Sequence, residues 1–295
     1  MSIGADTPPL PDLQCVRPNL RVVNVASVRQ LSPFRYPGGK TWLVPEIREW
    51  MAGLDAPSVF VEPFAGGAII SLTVAAEHLA KRVVFCELDH RVAAVWHTIL
   101  EDGEWLCQRI QGFEVSTSNV RSLLERDPED RRDLAFQTIV RNRVQHGGIM
   151  APGASLMKAG ENGKGIRSRW YARTLVRRIR AIQAIAGRVH FIEGDGFEVV
   201  QQYQDDPKAA FFVDPPYTAG GKRAGRRLYT HSELDHEKLF ALMASVRGHF
   251  LMTYDDADEV LAMAQRHGFC VATVPMKNTH HEQKLELLIT DRPLA

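Results

Sequence analysis

The residues with the most specific chemistry in this sequence are Asp214-Pro215-Pro216-Tyr217. They follow the apolar run Ala210-Phe211-Phe212-Val213, which reads as a strand buried on both faces. In an α/β sheet, ligands bind beyond the C-terminal ends of the strands, so reactive groups are expected here. A carboxylate followed by two prolines suits the holding of an exocyclic amine. The lone pair of such an amine is delocalised into its ring, which makes the nitrogen a poor nucleophile. Two acceptors that take both N–H bonds would localise that lone pair and aim it. Asp214 is one candidate acceptor and the Pro215 carbonyl the other, with Pro215 and Pro216 stiffening the backbone. Tyr217 offers a flat face on which an extruded base could stack. Attack on a sulfonium methyl needs little more, because its leaving group is neutral. The bland alternative is a proline-stiffened turn at a strand end.

Four other strand or helix ends carry small or acidic residues. In Phe60-Val61-Glu62-Pro63-Phe64-Ala65-Gly66-Gly67-Ala68 a short strand runs into glycines and then a helix, which lets backbone approach a ligand closely. The next strand ends about 20 residues later in Glu87-Leu88-Asp89, where an acid can bind ribose hydroxyls. Either acid could instead cap the following helix; Asp89 suits the cap better and Glu87 the ribose. Glu193-Gly194-Asp195 ends another strand, and Asp195 could accept from a cofactor adenine or cap a helix. Arg35-Tyr36-Pro37-Gly38-Gly39-Lys40 superficially resembles a phosphate loop but lacks the GxxxxGK[ST] spacing, which excludes that reading.

The elements that must position these groups alternate. Strands are expected at 59–62, 83–87, 189–193, 210–214, 250–254, 271–274 and 285–290. Helical spacing of apolar residues marks 69–79, 91–100, 236–246 and 256–266. The alternation predicts a doubly wound, mostly parallel α/β sheet of seven strands. The last two strands have no helix between them and are expected to form an antiparallel edge hairpin. Residues 101–187 break the rhythm with a Gly-rich middle and a basic helix over about 168–186, and are read as a smaller, mainly helical insert. The catalytic domain is then 31–100 with 188–295, and the Pro-rich 1–30 is an N-terminal extension with a short strand near 20–25.

The net charge of the 295 residues is only +1, but it is unevenly spread. Between Arg141 and Arg188 stand eleven arginines and lysines against Glu161 alone, a local charge of +10. Lys222, Arg223, Arg226 and Arg227 form a second basic stretch without an acid. Two such clusters in a near-neutral chain suit phosphate binding, and equally a solvated helix surface balanced elsewhere. The four cysteines are far apart and show no metal-ligand spacing; Cys86 and Cys270 lie in apolar runs and are expected to be buried thiols. No apolar run is long enough to span a bilayer and no signal peptide is read, so a reducing cytoplasm is expected.

In this order the motifs resemble the Dam-like class of DNA adenine N6-methyltransferases, over roughly 31 to 290. The class runs from a cofactor motif through an FxGxG-like motif and a target-recognition insert to the catalytic tetrapeptide. The resemblance implies S-adenosylmethionine as cofactor, no metal, and double-stranded DNA as partner. It implies that Tyr36 and Lys40 touch the cofactor, and that Glu62, Pro63, Phe64, Gly66 and Gly67 surround its methionine part. It also implies that Glu87, with Asp89 beside it, takes the ribose, and that Asp195 takes the adenine. Asp214, Pro215, Pro216 and Tyr217 would then be the catalytic set, with Asp214 also near the cofactor. Ala68 stands where the FxGxG-like motif has a third glycine. DNA contact is expected from Arg141, Asn142, Arg143, Lys158, Lys164, Arg167 and Arg169, and from Lys222, Arg223, Arg226 and Arg227. The tetrapeptide leaves RNA adenine, cytosine N4, a glutamine amide or a catalytically silent DNA-binding relative as alternatives. Whether a restriction nuclease accompanies the protein is not deducible from its chain.

Overall fold

A computed structural model describes residues 25–36, 38–148, 155–158, 160, 163–216, 234–277 and 283–294. Tyr217, Lys222, Arg223, Arg226 and Arg227 lie outside the described residues, as does most of the N-terminal extension with its expected strand.

Seven strands form one sheet: β1 (Val59–Glu62), β2 (Arg82–Glu87), β3 (Val189–Glu193), β4 (Ala209–Val213), β5 (His249–Asp255), β6 (Cys270–Lys277) and β7 (Gln283–Thr290). Their order is β3-β2-β1-β4-β5-β7-β6. The first five strands pair in parallel, and β7 runs antiparallel to both β5 and β6. All seven expected strands are present, and the expected edge hairpin is β6–β7. From β1 the chain builds outward to β3, then returns to lay β4 on the other side of β1. That reversal opens a crevice beyond the C-terminal ends of β1 and β4, where doubly wound sheets bind ligands.

Alternate strand residues feed two cores. Phe60, Phe85 and Phe212 face one layer of helices; Val61, Val84, Phe211 and Val213 face the other. Both faces are covered, which is why these strands read as unbroken apolar runs. The second layer comprises α7 (Gly196–Tyr203), α8 (His236–Ser245) and α9 (Asp258–Arg266). The first comprises α1 (Val44–Ala52), α2 (Ile69–Ala76) and α3 (His90–Gly112), with α4 (Thr117–Glu125), α5 (Arg131–Val144) and α6 (Ala172–Gln183) packed onward from them.

The segment read as an insert is continuous with this first core. Residue 101 falls inside α3, which kinks at Asp102 (φ −145°, ψ 45°) and then carries on to Gly112. Leu106, Phe136, Ile139, Leu175 and Val176 belong to the same apolar cluster as Phe60 and Phe85. The long basic helix is shorter than expected: a 3-10 turn over Gly165–Arg169 precedes α6. Among the described residues, no helix is long and apolar enough to cross a membrane. Cys86 and Cys107 are buried, whereas Cys270 is only half-buried because it begins the edge strand β6.

Candidate active site

A cavity of about 570 Å³ lies over the crevice between β1 and β4. Tyr36, Lys40, Glu62, Pro63, Phe64, Gly66, Gly67, Glu87, Asp89, Asp195, Asp214 and Pro216 all line it. Pro215 is buried beside them. Residues from five separate stretches of chain thus meet in a space that suits a ligand of nucleotide size.

The turn after β1 is built by mutual bracing. Gly66 takes φ +48°, and a Cβ added there would lie 2.6 Å from the Tyr36 ring. The Gly66 N–H donates to Glu87 Oε2 at 2.9 Å, and its carbonyl accepts from the buried Trp96 indole at 3.1 Å. Glycine is therefore required twice over, for its dihedral and for the aromatic ring against it. Ala68 also takes a left-handed φ of +48°, the conformation a glycine would adopt without strain. Gly196, part of the motif Glu193-Gly194-Asp195-Gly196-Phe197 but given no role from the sequence, allows α7 to approach: a Cβ there would meet the Pro63 carbonyl at 2.5 Å.

Asp89 and Asp195 take the capping positions that the sequence offered them, and Glu87 has a further role. Glu87 spans two turns, accepting from Gly66 N–H and, through Oε1, from Asp89 N–H at 2.8 Å. It is a strut as well as a candidate ribose ligand. Asp89 caps α3 through Arg91 N–H, and Asp195 caps α7 through Phe197 N–H at 2.8 Å. In both acids the capping role is filled, and both still line the cavity.

Lys40 is a hub. It is 4% exposed, and its Nζ donates to Asp214 Oδ1 at 2.9 Å, Glu286 Oε1 at 3.0 Å and the Gly38 carbonyl at 3.0 Å. Three contacts match the three N–H bonds of an ammonium, so this lysine holds the site together rather than reaching freely for a ligand. Asp214 Oδ1 also accepts from Thr253 Oγ1 at 2.8 Å. Glu286 on β7 and Thr253 on β5 were not singled out from the sequence. An acid inside the run Leu285–Thr290 was the available signal, since a charge in a buried strand must be paired.

Glu62 accepts from Ser71 N–H at 2.8 Å and is pushed up to about 8, first by burial; the neighbouring Asp214 adds to this and Lys40 opposes it. Glu87 is pushed up to about 7, again first by burial. Both values lie above the ordinary 4.5 of an unfolded glutamate. These two groups therefore stabilise the fold fully below about pH 4.5, and that contribution is lost as pH rises through 7 and 8. Without ligand, the melting temperature is expected to fall by about 5 °C or more between pH 5 and pH 8.5. Glu62→Gln should flatten that fall. An equal slope in both proteins, measured by thermal unfolding across the range, would contradict the assignment.

The described basic residues have several different settings. Lys158, Lys164 and Arg167 are exposed, and Arg167 Nε donates to the Val115 carbonyl at 2.7 Å. Arg141 is half-buried, and Arg180 pairs with Glu104 at 2.8 Å. Asn142 drops out of the DNA-contacting set. It is fully buried, accepting from Arg35 N–H at 2.9 Å and donating to the carbonyls of Arg35 at 2.8 Å and Gly148 at 3.0 Å. Arg143 and Arg169 turn inward and line the cavity. Among the described residues, no group of three His, Cys, Asp or Glu could hold a metal ion.

Residues 36–136 match the family model for D12 class N6 adenine-specific DNA methyltransferases. The matched span, about a third of the chain, runs from Tyr36 through the glycine turn and Glu87 into α5, and ends before Asp214. It supports methyl transfer as the chemistry of the cavity and accords with the resemblance drawn from the motifs. No protein of curated function matches the chain. Solved structures with similar folds include a putative RNA methyltransferase from Pyrococcus horikoshii, with 12% identity over 90% of this chain and 93% of that one, TM-score 0.40. The rRNA methyltransferase aviRa of Streptomyces viridochromogenes shares 16% over 88% of each chain, TM-score 0.38. A precorrin-6y C5,15-methyltransferase from Geobacter metallireducens shares 12% over 83% of this chain and 84% of that one, TM-score 0.36.

Proposed function

We propose that this protein transfers a methyl group from S-adenosylmethionine to the N6 amine of an adenine extruded from double-stranded DNA. The observation that carries the reading is Asp214. It stands at the C-terminal end of β4, and its carboxylate is fixed by Lys40 and Thr253 on the wall of the cavity that the Glu62–Ala68 turn also lines. The cavity walls fit the cofactor. A glycine turn with no Cβ to spare borders one side, and carboxylates at the ends of β1 and β2 border the next. Tyr36, Phe64, Gly66 and Gly67 would hold the methionine part, Glu87 the ribose, and Asp195 the adenine.

Bound there, S-adenosylmethionine supplies an electrophilic methyl on a sulfonium, whose C–S electron pair returns to sulfur on transfer. The protein's part is to hold the amine. Asp214 and the Pro215 carbonyl accept hydrogen bonds from its two N–H groups and turn the nitrogen lone pair toward the methyl, the base stacks on Tyr217, and the methylated nitrogen then releases one proton to water. Lys164, Arg167 and Lys158, with the basic stretch 222–227 that follows β4 in sequence, would contact DNA phosphates.

The test is to incubate the protein with labelled S-adenosylmethionine and unmethylated duplex DNA, digest, and identify the labelled base. Label in N6-methyladenine is expected. Label only in N4-methylcytosine, or only when RNA is supplied, would move the assignment to that acceptor. Cofactor binding with no transfer to any nucleic acid would make the chain a silent relative.

A further inference from the structure

One wall of the cavity carries a concentration of positive charge that neither the amine-holding site nor the glycine turn uses. Arg35, Arg143, Arg169 and Arg178 all line it. They come from three elements: the segment before Tyr36, helix α5, and the 3-10 turn with α6. Main-chain groups anchor them from behind. Arg143 donates through Nη2 to the Pro33 carbonyl, and Arg178 Nη1 donates to the Ser32 carbonyl at 2.9 Å. Asn142 clamps the backbone of Arg35 on both sides. Ser32 leads directly to the glycine turn, since a Cβ added at Gly67 would lie 3.1 Å from its Oγ.

The cluster is incomplete as it stands. Arg143 is only 5% exposed, yet its Nε has no hydrogen-bond partner, and neither does the buried Nη1 of Arg35. Among the described residues, no carboxylate pairs with Arg35, Arg143 or Arg178. Burial first, then the charges of Arg178, Arg35 and Arg169, push the Arg143 guanidinium down to about 9. Taking several like charges out of water without a counter-charge is costly, and a buried donor left unmade adds to that cost. A proximate oxyanion relieves both at once, and guanidinium forks match carboxylate and phosphate geometry.

We infer that Arg35, Arg143, Arg169 and Arg178 form an oxyanion pocket behind the Gly66–Gly67 turn, which takes the carboxylate or phosphate end of a ligand bound in the cavity. Under the function proposed above, two sources carry that chemistry: the amino-acid carboxylate of S-adenosylmethionine, and a backbone phosphate of the DNA beside the extruded base. The glycine turn places the pocket next to the methionine part.

Calorimetric binding of three probes separates the sources. S-adenosylhomocysteine keeps the carboxylate, 5′-methylthioadenosine lacks it, and an unmethylated duplex at fixed salt carries only phosphates. The carboxylate source predicts that Arg143→Gln weakens S-adenosylhomocysteine by about tenfold or more while 5′-methylthioadenosine changes little. A comparable loss confined to the duplex supports the pocket with phosphate as its ligand. Equal loss of both nucleosides, or no loss on any probe, overturns it. Should Arg143→Gln fail to fold, the half-buried Arg35→Gln is read in the same way. The unsubstituted protein gives an independent measure: sulfate should raise its melting temperature above chloride at equal ionic strength, and no difference counts against the pocket. None of these readouts depends on methyl transfer. An absence of N6-methyladenine would therefore sink the proposed function without touching the pocket, and the reverse also holds.

Discussion

Asp214→Ala is expected to slow methyl transfer to DNA by about a hundred- to a thousandfold, while S-adenosylhomocysteine still binds within a few-fold of the unsubstituted protein. The reason lies in what the carboxylate does and does not hold. It is the acceptor proposed for one N–H of the target amine, an interaction worth most when that nitrogen is attacking. Its removal does not strand the rest of the site. Lys40 keeps Glu286 at 3.0 Å and the Gly38 carbonyl at 3.0 Å, so the ammonium stays compensated. The glycine turn is braced by the Tyr36 ring and by hydrogen bonds to Glu87 and Trp96 in which Asp214 takes no part. Initial rates with labelled cofactor, alongside calorimetric binding of S-adenosylhomocysteine, check both halves. A rate within tenfold of the parent would remove Asp214 from the chemistry. Loss of binding together with rate would make it a cofactor ligand first.

The sheet was legible because it is buried on both faces. Such strands appear as unbroken apolar runs, and each of the seven lies within a residue or two of its expected bounds, apart from the edge strand β6, which runs three residues longer at its end. Strand ends were legible for a related reason: acids and glycines follow the runs at 62–67, 87–89 and 193–196, and the sheet topology brings those ends into one cavity. The basic segment was not legible. A charge count cannot tell an arginine paired at the surface, such as Arg180 with Glu104, from one folded inward, such as Arg143. Arg141 and Arg143 are adjacent in composition, but two residues on a helix are about 200° apart. One is half-buried on its own side, and the other lines the cavity. The expected start of the insert at 101 falls inside α3 for the same kind of reason. Apolar spacing on α3 marks its first turns, while the second half past Asp102 is held by α5 and α6, elements distant in sequence. Glu286 and Thr253 were missed because strand assignment discards the one polar residue in an apolar run, and that residue is what ties the hairpin to the site.

The tie itself is open to measurement. Lys40→Met removes a buried ammonium from between Asp214 and Glu286 and keeps most of the stem that packs there. A surface ion pair would cost about 0–1 kcal/mol on removal. Lys40 is instead 4% exposed and Glu286 3%. Breaking a pair at that depth leaves carboxylate charge uncompensated, and the expected cost is about 3–5 kcal/mol by denaturant unfolding. The deficit should be smaller at pH 5 than at pH 8, since protonation is the way an unpaired buried carboxylate is relieved. Lys40→Met combined with Glu286→Gln should recover a substantial part of the loss. The double variant removes both charges, and the residual cost then measures Asp214 and the lost hydrogen bonds. Methyl transfer should fall in the single variant as well, because Asp214 Oδ1 loses the Lys40 ammonium that, with Thr253, holds it in place. A stability loss under about 1 kcal/mol, with no recovery on adding Glu286→Gln, would show that the three groups do not act as one unit. The segment before α1, the end of β4 and strand β7 would then be joined by packing alone. If the loss and recovery are both seen, the lysine before α1 is an electrostatic clasp across the sheet, and its part in the site is to keep Asp214 aimed.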